Sequence, residues 1–453
     1  MIWLALAVLA APLMAETRAG TALVDITPPP GAPMAGYYYN RAAEGVHDPL
    51  QAKALVFDVD RQRAALVTCD LANMPEMFAS EARRLAAADT GIPPERIMVS
   101  GTHTHTGPVL LTPDSRYRLE GSMLKIAQDY ARDLPGKIAS AIRAASQNLQ
   151  PVRITTATGR EDSVSFNRRF LMKDGSIKWN PAKQDPNIVR PAGPIDPDVQ
   201  VVSIDAGGKS TAFYVNHALH LDTVGGMQFS ADFPYTIGRA LAQVKGDALV
   251  TLFSMGCAGN VNHRDIASRD PQKGHGEAAR IGTILAAEVL RASRNLWPVA
   301  GNLRASTETV GLPLPSITAA DVDKAEPIAA TFGSQTPAPF NDLVWAAKVL
   351  DVDRRKGKPI DAEVQVIALG DELAFVGLPG EIFTELGMEI KRRSPFRQTI
   401  VVTQANGAVG YVPNRKAYPE GAYEVVSARV GLGAGEMLVE SAVRQLDRLM
   451  RER

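Results

Sequence analysis

Cysteine is almost missing from this chain: Cys69 and Cys257 are the only two in 453 residues. That excludes a disulfide-built scaffold. Each cysteine lies at or just after the end of an apolar strand-like run, so two buried free thiols are expected. Net charge is missing as well, with 49 basic and 49 acidic residues. Such a balance gives no sign of a nucleic-acid or acidic-membrane partner. Past the first fifteen residues there is no apolar run of the roughly 18 residues that a membrane span needs. The glycines of "GCAGN" (256–260) lack the lysine and the spacing of a phosphate-binding loop. Histidine is scarce too, at seven, so its placement is informative.

The opening fifteen residues, "MIWLALAVLAAPLMA", are a short apolar stretch ending in a small residue. They read as a signal peptide, with a mature chain from about Glu16 that is exported to the periplasm or secreted. The absence of Lys and Arg from the stretch keeps an N-terminal anchor as the alternative. Residues 16–453 are expected to form one catalytic domain. Apolar runs bounded by turn residues predict strands: "KALVFDVD", "RAALVTCD", "RIMVSGT", "DVQVVSID", "TAFYVNH", "DALVTLFS", "VQVIALG", "LAFVGLP" and "TIVVTQA". Helical patterns fall at 77–89, 124–145, 233–243, 276–293, 382–393 and 435–450. The mixture predicts an α/β fold, a mixed β-sheet core with flanking helices. Segments 174–198 and 313–341 are rich in Pro and polar residues and read as excursions over the surface.

Several predicted strands run directly into polar motifs, and in open α/β sheets sites gather at strand carboxyl ends. "RIMVSGT" is followed by His103 and His105, which face one way if the segment stays extended. "TAFYVNH" leads to His217 and His220, three apart, so that only one can face the same pocket. "LAFVGLP" is followed by Glu381, placed at the start of a helix. Two imidazoles and a carboxylate suit Zn²⁺ with a position open for water. Asp232 either orients a ligand imidazole or caps the helix starting at Phe233. Metallo-β-lactamase-like and amidohydrolase-barrel arrangements also use His-x-His, but the residues and strand order around His103 fit neither well.

The order of these motifs resembles the catalytic domain of the neutral (alkaline, non-lysosomal) ceramidases. "AGTALVDITPPPGAPMAGY" is similar to the family's opening segment, and "SGTHTHTGP", "NHALHLDTVGGMQFSADFP", "GLPGEIFTELG" and "GAVGYVPN" to its later motifs. The resemblance implies four zinc ligands: His103, His220, Glu381 and Tyr411. "SFNRR" resembles a stretch with a substrate-site arginine, implying Arg168, and His105 would join it in positioning substrate. The loop Gly259–Asn260–Val261–Asn262–His263 departs from the family: it has no serine, and Asn262 stands where the serine implicated in catalysis would be. Asn260 and Asn262 therefore either donate to a developing oxyanion or merely make a turn. The sequence ends soon after Tyr411, so the family's C-terminal immunoglobulin-like module is expected to be missing. The expectation is a zinc-dependent hydrolase acting by metal-activated water on a small or lipid-like amide, such as an N-acyl sphingoid base. The alternatives are another amide or ester on the same scaffold, or a non-catalytic exported binding protein.

Overall fold

The computed structural model describes residues 17–334 and 336–452. The expected signal segment lies outside the described residues. One order of elements recurs three times along the chain. The first unit is strand Thr17–Asp25, hairpin Gln51–Val59 with Gln62–Cys69, helix Glu76–Thr90, strand Ile97–Gly101 and helix Gly121–Gln147. The second is strand Arg153–Arg160, hairpin Asp198–Ala206 with Lys209–His217, helix Phe233–Lys245, strand Val250–Met255 and helix His275–Ala292. The third is strand Leu303–Leu312, hairpin Ile360–Leu369 with Leu373–Gly377, helix Thr384–Arg393, strand Gln398–Val402 and helix Ala434–Arg451. In each unit the opening strand pairs antiparallel with the hairpin's first arm. The second arm pairs parallel with the strand that follows the first helix.

The three sheets share one apolar centre. Leu55, Phe57 and Met98 of the first meet Val202, Tyr214 and Leu252 of the second and Ile367, Phe375 and Ile400 of the third. The opposite face of each sheet is closed by its own two helices, giving three further clusters. Burial on both faces explains the continuous apolar runs in the sequence. Leu55 and Phe57 point to the shared centre, whereas Ala54 and Val56 point to the helices. Two hairpins close on two left-handed residues, Asp60 and Arg61 (φ 49° and 66°) and Gly207 and Gly208 (55° and 81°). That turn matches the strand twist.

The predicted α/β class holds, with corrections of detail. The helix read at 382–393 begins at Thr384, because Glu381 and Ile382 pair parallel with Tyr411 and Val412. Segment 313–341 is not all excursion: helix Ala319–Ala329 is capped by a reciprocal Thr318–Asp321 box. Segment 174–198 contributes Ile177–Trp179 and Ile188–Pro191 to a small sheet around Arg169–Met172. Cys69 and Cys257 are buried and free, and burial pushes both thiols up. Among the described residues no helix is long and apolar enough to cross a membrane.

Candidate metal centre

The carboxyl ends of the three parallel strand pairs meet, and the loops leaving them are tied together by backbone hydrogen bonds. Gly101 N donates to Gln404 O, His105 N to Leu221 O and Gly259 N to Ile382 O. His103 and His105 follow the first unit's parallel strand, His220 follows the second unit's hairpin, and Glu381 and Tyr411 come from the third unit. His103 adopts φ 77°, a left-handed conformation that side chains rarely take outside functional turns. Its Nδ1 donates to Ala72 O at 2.6 Å. That bond leaves the Nε2 lone pair free, the arrangement usual behind a ligating imidazole.

His103 Nε2 lies 3.0 Å from His220 Nε2 and 3.4 Å from His105 Nε2. Glu381 Oε2 lies 3.4 Å from His103 Nε2 and 3.8 Å from His220 Nε2. That oxygen is buried and has no hydrogen bond of regular geometry. The Tyr411 hydroxyl bonds to the Glu381 carboxylate and receives Arg168 Nη2 at 3.0 Å. The parallel pairing of Glu381 with Tyr411 sets these two side chains side by side. Burial pushes the His105 and His220 imidazoles well below their usual range, which keeps them neutral. Burial alone would raise the Glu381 carboxyl, but His103, Tyr411 and Arg168 hold it down at about 2. Imidazole nitrogens 3.0–3.4 Å from one another, facing an anionic carboxylate oxygen at 3.4–3.8 Å, have the spacing of donors sharing one ion at about 2.0–2.2 Å each. His103, His105 and His220 form a group able to hold a metal ion.

A family model described as neutral/alkaline non-lysosomal ceramidase, N-terminal, matches residues 18–220. Over that stretch, somewhat under half of its length, the chain is similar to that family. Neutral ceramidase A of Dictyostelium discoideum is 30% identical over 181 residues, 37% of this chain and 24% of that protein. The match thus spans about a quarter of the relative's length. The crystal structure of neutral ceramidase from Pseudomonas aeruginosa superposes with a TM-score of 0.75 at 21% identity, over 97% of this chain and 75% of that one. A ceramidase complexed with C2 gives the same TM-score and identity. At that identity the likeness establishes a common fold.

Within this ceramidase fold the structure adds partners that no motif announced. Asp222 Oδ1 lies 3.5 Å from His105 Nδ1 and accepts the Tyr37 hydroxyl at 2.7 Å. A carboxylate behind an imidazole two residues after His220 is the one local signal that was available. Gly259 lets its loop pass under the metal centre: a Cβ there would come within 2.4 Å of Glu381 O. Asp232 is the cap of its helix, accepting from Phe233 N, Thr223 N and Val224 N. His217 bonds Asp198 O and stays outside the donor group. His47, Asp48 and His275 form a second group, with the two rings stacked at 3.5 Å. Asp48 there accepts from Ser230 Oγ and Ala231 N.

His103, His105, Glu381 and Tyr411 line a cavity of about 620 Å³. Arg168 is placed behind that wall. It is 4% exposed and gives its guanidinium to Glu424, Gly259 O and Tyr411. It orients Tyr411 in place of lining the substrate space. Asn260 and Asn262 are not on the wall either. Asn260 Nδ2 donates to Glu385 and its Oδ1 accepts Thr384 N. Asn262 Nδ2 donates to Asn180, and its Oδ1 accepts Arg264 N at 3.1 Å. With both amides committed to the loop, the turn-making reading of these residues is the better one. Asn262→Ala should therefore change the hydrolysis rate less than about threefold and lower stability by about 1 kcal/mol, the worth of its hydrogen bonds. A rate loss of roughly 10²–10³-fold in steady-state kinetics would restore the oxyanion role.

Proposed function

We propose that this chain is an exported zinc-dependent hydrolase of ceramidase-like type that cleaves an amide with water. The observation that carries the reading is the facing set of His103, His105 and His220 Nε2 atoms with the buried Glu381 oxygen, of which His103, His105 and Glu381 line one cavity. His103, His220, Glu381 and Tyr411 would hold the ion. Zinc at that place supplies Lewis acidity and acidifies a water. His105, facing the cavity and backed by Asp222, accepts a proton at Nε2 and returns it to the departing amine. Asp222 stabilises the charged ring meanwhile, and Tyr37 fixes the carboxylate. Arg168 holds the Tyr411 hydroxyl toward Glu381. The same donors serve an ester as readily as an amide. The Asp222–His105 pair speaks against a binding protein, which has no use for a proton acceptor.

Metal analysis of the purified protein, joined to a screen of N-acyl amides and esters, tests this reading. About one equivalent of zinc per chain is expected, with hydrolysis lost on treatment with dipicolinate and regained on adding zinc. Undiminished hydrolysis by metal-free protein would overturn it.

A further inference from the structure

The cavity beside the metal centre is not an apolar slot. Asp114, Arg116, Asp351, Arg354, Glu363 and Arg429 all lie on its wall. Most of these charges are matched inside the wall. Arg429 Nε donates to Asp351 at 2.5 Å, and Arg354 Nε lies 3.7 Å from Asp114. Glu363 receives Arg83 at 3.0 Å. The acids left without an arginine, Glu76 and Asp361, are exposed, where water solvates them.

Arg116 is different. Its guanidinium carbon sits 4.2 Å from the ring centre of Tyr38 and 5.3 Å from that of Tyr117. Its Nε is buried and has no hydrogen-bond partner. No carboxylate among the described residues makes an ion pair with it. An arginine is never neutral in a protein, and a sequestered charge without a partner is unfavourable. The Tyr38 and Tyr117 rings stabilise the cation and the Tyr117 hydroxyl takes one of its hydrogen bonds, but no counter-charge among the described residues neutralises it. Arg355, half-exposed on the same wall, adds a second positive charge that has no ion pair among the described residues.

The aromatic wall links this arginine to the metal centre. Tyr411 touches Tyr423 at 5.4 Å between ring centres, Tyr423 touches Phe340 at 5.6 Å, and Phe340 touches Tyr38 at 5.5 Å. Arg116 lies at the far end of that row. We propose that Arg116 anchors an oxyanion of the substrate, so that the amide carries a carboxylate on the part remote from the bond that is cleaved. This rests on the hydrolase reading for the cleavage, but not for the binding. An uncharged two-chain lipid amide would cover the guanidinium without supplying a counter-charge. A carboxylate takes the two parallel N–H donors of the fork, a geometry that lysine cannot supply.

The test compares two chromogenic anilides, glutaryl-p-nitroanilide and its uncharged analogue butyryl-p-nitroanilide, with wild-type protein, Arg116→Met and Arg116→Lys. A charge-assisted pair is worth about 10–100-fold. The wild type should favour the glutaryl probe by that factor in kcat/KM, and Arg116→Met should abolish the preference by lowering kcat/KM for the glutaryl probe far more than for the butyryl probe. Arg116→Lys should retain part of it. Equal use of both probes by the wild type, or an equal loss on both in Arg116→Met, would overturn the anchor. Calorimetric titration with glutarate separates this from the hydrolase reading. If neither anilide is cleaved the hydrolase reading fails, yet tenfold weaker glutarate binding in Arg116→Met still supports the anchor, and unchanged binding overturns it.

Discussion

Glu381→Gln should leave the protein folded, empty of metal and without hydrolytic activity above background. The carboxylate is anionic at neutral pH, held down at about 2 by His103, Tyr411 and Arg168 against the opposing effect of burial. Glutamine has the same shape and keeps an oxygen for the Tyr411 hydroxyl, so the parallel pairing of residues 381 and 411 survives. What it loses is the negative charge that draws a cation to the site. His103→Ala should have the same consequence for a different reason. It removes the donor whose Nε2 is nearest to both other histidines. Metal content by elemental analysis, the thermal unfolding midpoint and the hydrolysis rate should be measured on the same samples. A full equivalent of metal with wild-type turnover in either variant would remove that residue from the ligand set, and wild-type turnover without metal would remove the zinc mechanism.

The parts of this site that could be read in the sequence are those that sit next to a strong strand signal. His103, His220 and Glu381 each follow an apolar run by a few residues, and the runs were visible because burial on both faces makes them continuous. Other parts depend on pairing across the chain. Glu381 reads locally as the first residue of a helix, and only its pairing with Tyr411, 30 residues on, turns it into a strand residue. Asp222 and Tyr37 meet across 185 residues, and no local pattern links them. The threefold recurrence was hidden for a related reason. The opening strands "TRAGTALVD", "RITTATGR" and "LRASTETVGL" are rich in Thr, Arg and Gly, so they carry little apolar signal. Without them the hairpins look like isolated pairs. Once they are placed, the convergence of three loops on one point follows from three sheets packing around one centre.

Glu424→Ala should be among the most destabilising single changes in the protein. Glu424 is fully buried and receives Arg168 Nε on one oxygen and Arg169 Nη1 on the other, each at 2.9 Å. Both guanidinium groups are nearly inaccessible to water. Removing one partner from a buried ion pair leaves an uncompensated charge and costs about 3–5 kcal/mol. Arg169 keeps a second carboxylate, Glu420 at 3.1 Å, so the larger share of the penalty falls on Arg168. That group also donates to the Tyr411 hydroxyl, and the stability loss should therefore come with a loss of rate. Replacing both members of the inner pair, Arg168→Met with Glu424→Leu, removes the stranded charge. Buried ion pairs exchanged for apolar groups of similar size are often neutral or stabilising. The double variant should thus recover most of the unfolding midpoint but none of the rate, because nothing then orients Tyr411. Denaturation and kinetics on the two singles and the double decide the point. Recovery of rate together with stability would mean that Arg168 supports the fold alone. A Glu424→Ala protein as stable as the wild type would mean that water reaches the arginines and that the pair is not buried in solution.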